Sequence, residues 1–199
     1  MGIKPRSTPQ ATQETIIDIL IDQGLWNDRD LSTVVVVGVR GYYLNSMGRL
    51  AKNDRGIYDD ALFVMSPTCF ASFNGNTDPS RYKAGRAVLE CPQKVKYIPG
   101  YHGYGRKSGH PAFRQASDVI VERDGGQGNG RSLGGGRFTD KGRNRFWINL
   151  HRGGRTTTSS AGCQTVPPSQ WPAFYALVRH ELKKLGQKSF NYYLVENGK

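Results

Sequence analysis

Four successive valines, Val34 to Val37, within the run Thr33–Arg40 do most to decide what this chain can become. β-Branched side chains suit a pleated sheet and crowd a helix, so the run predicts a buried strand. Short apolar runs at Tyr58–Ser66, Phe70–Phe73, Ala87–Leu89, Lys94–Ile98, Asp118–Arg123 and 189–195 have strand length too. Asn74-Gly75-Asn76 predicts a turn, and Gly41-Tyr42-Tyr43-Leu44 continues or bends the first strand.

Only two segments carry helical spacing. Thr8-Pro9 reads as an N-cap and first helical position, Ile16, Ile17, Leu20 and Ile21 as one apolar face, and Gly24 as the stop. Later, Ser169 can cap a helix on which Trp171, Phe174, Val178, Leu182 and Leu185 recur, ended by Gly186. His180 falls off that apolar face and is expected in solvent. The chain is therefore expected to be mainly β with peripheral helices (α+β). Residues 1–30 would form a basic tail and helix, and 31–199 the principal domain.

With 37% hydrophobic residues and 25 glycines, the chain has enough apolar segments for a core but carries long polar connections. Residues 124–145, rich in Gly, Arg and Asn, read as a solvated insertion. No run approaches the roughly 18 apolar residues that span a bilayer, so no membrane insertion is expected. The N-terminus has no apolar leader core, which predicts synthesis in the cytoplasm without a signal peptide. A net charge of +12 draws polyanions such as nucleic acid, anionic lipid or bacterial wall. The cations are spread from Lys4 to Lys199 and the glycine-arginine region lacks interleaved aromatics, which disfavours nucleic acid.

Cys69, Cys91 and Cys163 are odd in number and show no metal-binding spacing. The histidines at 102, 110, 151 and 180 are scattered, so neither a metal nor another cofactor is expected. The stretch from Phe146 to Thr165, FWINLHRGGRTTTSSAGCQT, is the chemical focus. His151 closes an apolar run, and Cys163 follows Gly162 after a polar span long enough to fold the histidine back over the thiol. A thiol attacks as thiolate, and an adjacent imidazole can take its proton. Gly162 permits close backbone approach, and Arg152 could pair with a carboxylate or lie solvated. Ser160 could orient the imidazole or cap the cysteine loop. Tyr101 and His102, within Pro99-Gly100-Tyr101-His102-Gly103-Tyr104-Gly105, suit a loop lining a cleft, and His110 is a weaker candidate.

This stretch resembles the catalytic motif of the L,D-transpeptidase family, in which a strand-borne histidine leads through a loop to Ser/Thr-His-Gly-Cys. Ser160, Gly162 and Cys163 match that signature, and Ile148-Asn149-Leu150-His151 is similar to the histidine strand. Ala161 stands where the family has a second histidine, and the His-to-Cys loop is short. The resemblance is specific over 146–165 and implies a compact β-sandwich or barrel spanning about 33–166. It also implies peptidoglycan stem peptides as substrate and bacterial peptidoglycan as partner.

Cys163 would attack a peptide carbonyl while His151 manages the proton. Backbone groups around Gly162 to Gln164 would stabilise the oxyanion. The absent leader, Ala161 and the short loop favour a wall hydrolase over a cross-linking transpeptidase. Such an enzyme would act as a monomer in the periplasm or cell wall, delivered by a holin, virion or secretion system. The resemblance extends to phage and prophage proteins. The competing class is a non-catalytic interaction protein on the same fold.

Overall fold

The computed structural model describes residues 3–27, 31–41, 55–124, 137–140 and 147–196. In chain order the elements are α1 (Gln13–Asp22), β1 (Val35–Arg40), β2 (Asp60–Ser66), β3 (Cys69–Gly75), β4 (Ala87–Leu89), β5 (Gln93–His102) and β6 (His110–Gln115). They continue with β7 (Val119–Arg123), β8 (Arg137–Asp140), β9 (Leu150–Arg152), β10 (Gln164–Val166), α2 (Trp171–Lys184) and β11 (Phe190–Glu196). The protein is mainly β with two peripheral helices, as the sequence predicts.

Eight strands form one sheet in the order β10-β9-β6-β5-β11-β1-β2-β3, and β4-β7-β8 form a second. The two ends of the large sheet meet where Asn76 and Thr165 exchange backbone hydrogen bonds of 2.9 and 2.8 Å, so it nearly closes into a barrel. Alternation sorts side chains between inside and outside. Val36, Leu62, Val64, Val95, Tyr97, Phe113, Leu150, Tyr192 and Leu194 point into a core covered by α2 and the small sheet. Val35, Val37, Val39, Phe63, Met65, Tyr193 and Val195 point outward and are covered by α1. That is why the valine run is apolar at every position: β1 is buried on both faces.

Several boundaries differ from expectation. Thr12, not Thr8, caps α1, its Oγ1 accepting from the Thr15 N–H at 3.2 Å. Gln170 rather than Ser169 precedes α2, with Pro172 in the first turn. Residues 3–9 are tied to the sheet: the Ile3, Ser7 and Pro9 carbonyls accept bonds from Tyr58, Asn74 and Ser72. Asn74-Gly75-Asn76 is no turn; it ends β3 and then bridges to Thr165. Pro99 lies inside β5, beyond the last β11 pairing at Tyr97, where the strand is laddered on one side only and its missing N–H costs nothing. The expected continuation at 42–44 and most of the 124–145 region lie outside the described residues.

A buried polar cluster fixes the barrel end below the cysteine loop. The Arg40 Nε lies 3.3 Å from Asp78 Oδ1, and its guanidinium donates to the Thr77 and Leu89 carbonyls. Asp60 accepts from Gly41 N–H, Thr77 N–H and Thr77 Oγ1 at 2.5–2.8 Å. Burial and the neighbouring Asp78 nevertheless raise the Asp60 carboxyl to about 7.

Candidate active site

Strand register assembles the site. β9 and β10 run parallel with Leu150 opposite Gln164, both facing the barrel interior. The residues that alternate with them, Asn149, His151, Cys163 and Thr165, therefore share the outer face. β6 pairs Ala112 with His151, and β5 pairs His102 with His110, which places both of these histidines on that same face. The β5–β6 hairpin thus delivers two histidines beside the one that the sequence links to Cys163.

The resulting contacts are close. The His102 and His151 rings stack with centroids 4.0 Å apart and planes 12° from parallel. One donor atom each from His102, His151 and Cys163 lie within 4.8 Å of one another. His110 Nε2 sits 3.4 Å from His151 Nδ1. His151 Nδ1 is also 2.7 Å from the Arg152 carbonyl, so a neutral imidazole donating there keeps its lone pair on Nε2. The Cys163 thiol donates to the Trp147 carbonyl at 3.5 Å. Trp147 holds φ of +54°, a strained conformation for a bulky residue, and its ring stacks under the Arg114 guanidinium at 4.7 Å.

Burial sets the protonation states. His151 is 3% exposed and Cys163 9%. Burial, with a smaller contribution from His102, lowers His151 to about 3, against the pull of its hydrogen bond to the Arg152 carbonyl. Burial raises the Cys163 thiol to about 11, opposed in part by a backbone hydrogen bond from Asn149. His102 is also lowered, by burial first and then by His110. The resting pair is consequently a thiol and a neutral imidazole, not a thiolate–imidazolium pair.

The loop before the cysteine is locked from several sides. Ser160 Oγ donates to the Cys163 carbonyl at 2.7 Å and accepts from the Gly162 N–H at 3.0 Å, so Ser160 caps the loop. Gly162 has φ of +148°, and a Cβ there would meet the Ala87 carbonyl oxygen at 2.5 Å. Gln164 faces inward, its Oε1 accepting from the Tyr192 hydroxyl at 3.0 Å. That hydroxyl lies over Gly38, whose lack of a side chain makes the room. The Gln164 N–H is spent on the Asn149 carbonyl at 2.8 Å.

Of the residues picked from sequence, His151, Cys163 and His102 come together, and Ser160 and Gly162 shape the loop beside them. Arg152 is exposed and alternates away from His151; its carbonyl, not its guanidinium, touches the cluster. Tyr101, 48% exposed, alternates away from His102 and packs edge-on against Tyr104 at the hairpin tip. His180 is exposed on α2. Sequence reasoning missed Asn149, whose amide lies 3.1 Å from His102 Nδ1. Its i, i+2 relation to His151 was the available signal. It also underrated His110, and nothing marked the Trp147 carbonyl.

Three metal-capable groups therefore converge among the described residues, although their sequence spacing argued against it. No helix in the described residues is long and apolar enough to cross a membrane. Compared with known proteins, the chain matches no family model, no curated protein and no solved structure.

Proposed function

We propose that this protein is a cysteine acyl-transfer enzyme in which Cys163 is the nucleophile and His151 the base. The observation that carries the reading is the placement of Cys163 and His151 on one sheet face, with His151 Nδ1 held by the Arg152 carbonyl and Nε2 left to take a proton. With both groups neutral at rest, the thiol proton moves to Nε2 as sulfur attacks a peptide carbonyl. The C–N bond then breaks, the imidazolium returns the proton to the leaving amine, and a thioester remains for water to hydrolyse. The Gly162 and Gln164 N–H groups are engaged in the resting loop, so the Cys163 N–H is the backbone donor we assign to the oxyanion.

The likeness of Ser160, Gly162 and Cys163 to the L,D-transpeptidase signature supports stem peptides of bacterial peptidoglycan as substrate. The net charge of +12 suits an anionic wall. Hydrolysis is favoured over cross-linking because Ala161 leaves the loop without a histidine of its own. Mass spectrometry of peptidoglycan incubated with the protein tests this directly. New uncross-linked fragments that vanish with Cys163→Ala support a hydrolase, and exchange of D-amino acids into stem peptides supports a transpeptidase. Activity that survives Cys163→Ala overturns the cysteine mechanism. A second reading, an interaction protein with an inert thiol, is favoured by the burial that holds Cys163 protonated, and unchanged peptidoglycan would support it.

A further inference from the structure

Removing one thiol proton requires one imidazole, yet the site holds a second, His102, stacked on the first. His102 comes from the end of a different hairpin, far from the cysteine loop in sequence, and its Nδ1 is met by the Asn149 amide at 3.1 Å. Two imidazoles and a thiol are the borderline-soft donor set that zinc selects. No carboxylate belongs to the group, which removes the hard-cation alternatives magnesium and calcium.

Distances and the outer contact of His151 agree with this donor set. At His102, by contrast, the Asn149 Nδ2 donates to Nδ1 and must turn aside when Nε2 takes the metal and Nδ1 the proton. Zinc–nitrogen bonds of about 2.0–2.1 Å and a zinc–sulfur bond of about 2.3 Å set tetrahedral donor separations of roughly 3.3–3.6 Å. The three donor atoms already lie within 4.8 Å of one another, so a small contraction closes the site. A metal-bound histidine ordinarily donates its other N–H to a carbonyl or carboxylate, and His151 Nδ1 stands 2.7 Å from the Arg152 carbonyl. A ring movement is required as well. Stacked rings only 12° from parallel send their lone pairs side by side, so one ring must tilt for both to reach a single ion. His102 is the half-buried member at a hairpin end, whereas His151 is buried in a short strand laddered on both sides.

We propose that His102, His151 and Cys163 form a three-ligand zinc site, completed by water, that ties up the sulfur and silences acyl transfer while zinc is bound. Binding replaces the thiol proton with a zinc–sulfur bond, releases the proton to solvent and involves no change of oxidation state. The silencing rests on the acyl-transfer reading; the metal site itself does not.

Cobalt(II) titration of the metal-free protein tests it. The expected result is one cobalt per chain with a thiolate-to-cobalt charge-transfer band, bleached by one equivalent of zinc. Cys163→Ser should abolish the band. His102→Gln should weaken zinc binding by roughly 100-fold or more, since loss of even an outer-shell partner costs about 10–100-fold. His180→Ala, on exposed α2, should change nothing. A band that persists in Cys163→Ser, binding without the band, or unaltered affinity in His102→Gln overturns the proposal. Should Cys163→Ser fail to fold, alkylation of the wild-type thiol mapped by mass spectrometry decides. Zinc must protect Cys163, and equal labelling with and without zinc refutes the site. Peptidoglycan digestion by the metal-free protein reports on acyl transfer separately, so either idea can fail alone.

Discussion

The protonation state of Cys163 can be tested before any substrate is known. Burial raises the thiol to about 11, so its thiolate fraction at pH 7 is about 10⁻⁴, whereas a free thiol of pKa about 8.5 is about 3% ionised. Alkylation by iodoacetamide, followed at the Cys163 peptide to separate it from Cys69 and Cys91, should run about 300-fold slower than free cysteine at pH 7 from ionisation alone. Restricted access at 9% exposure slows every pH alike, so the shape of the profile is decisive. The logarithm of the rate should rise about one unit per pH unit from 6 to 9.5 with no plateau. His151→Gln should leave that slope intact, because His151 is neutral throughout. A fast plateau between pH 4 and 7 that disappears in His151→Gln would show a thiolate–imidazolium pair and refute the reasoning from burial.

Other consequences follow from the same geometry. Gly162→Ala should cost on the order of 3 kcal/mol in denaturant unfolding, because the new Cβ meets the Ala87 carbonyl in a backbone conformation that favours glycine. Arg40→Met should cost about 3–5 kcal/mol by leaving Asp78 and Asp60 buried without their cation, and a change below about 1 kcal/mol would contradict that role. Two buried groups oppose each other in acid. His151, lowered from 6.5 to about 3, refuses in the folded state a proton that the unfolded chain accepts, so it costs stability as pH falls below 6.5. Asp60, raised from 3.8 to about 7, binds its proton more tightly when folded, so it adds stability as pH falls from 7 toward 4. In unfolding measurements His151→Gln should therefore gain stability, relative to wild type, on going from pH 7.5 to 5; an identical pH slope for both would refute the assignment.

Sequence carried the parts of the fold that local chemistry decides. β-Branched density marked β1, helical spacing marked α1 and α2, and the polar span from His151 to Cys163 was long enough to fold one back over the other. It did not reveal partners set by register between distant strands. His102 and His110 reach the site only because β5 and β6 pair, and Pro99-Gly100 made that segment look like a loop. Gln164 seemed free to help an oxyanion until the parallel β9–β10 pairing turned its side chain inward and spent its N–H. The Asn76–Thr165 bridge was hidden for the same reason: closure of a sheet is a property of its two edges and leaves no local pattern.

The position of β11 bears on how the molecule is made. It lies between β5 and β1, pairing parallel with β1 and antiparallel with β5, yet it is the last strand in chain order. A nascent chain that has emerged only as far as α2 has one ribbon of β1-β2-β3 and another of β5-β6-β9-β10, with no shared ladder at the sheet's centre. Closing the long separation from Val35 to Asn191 is an entropically slow step that waits for the final strand. His102, His151 and Cys163 all belong to the second ribbon, which is synthesised in full before β11. Every group that touches the thiol, from His102 to Ser160, precedes β11 in the chain, so the site can assemble within its own ribbon before the final ladder joins the two halves.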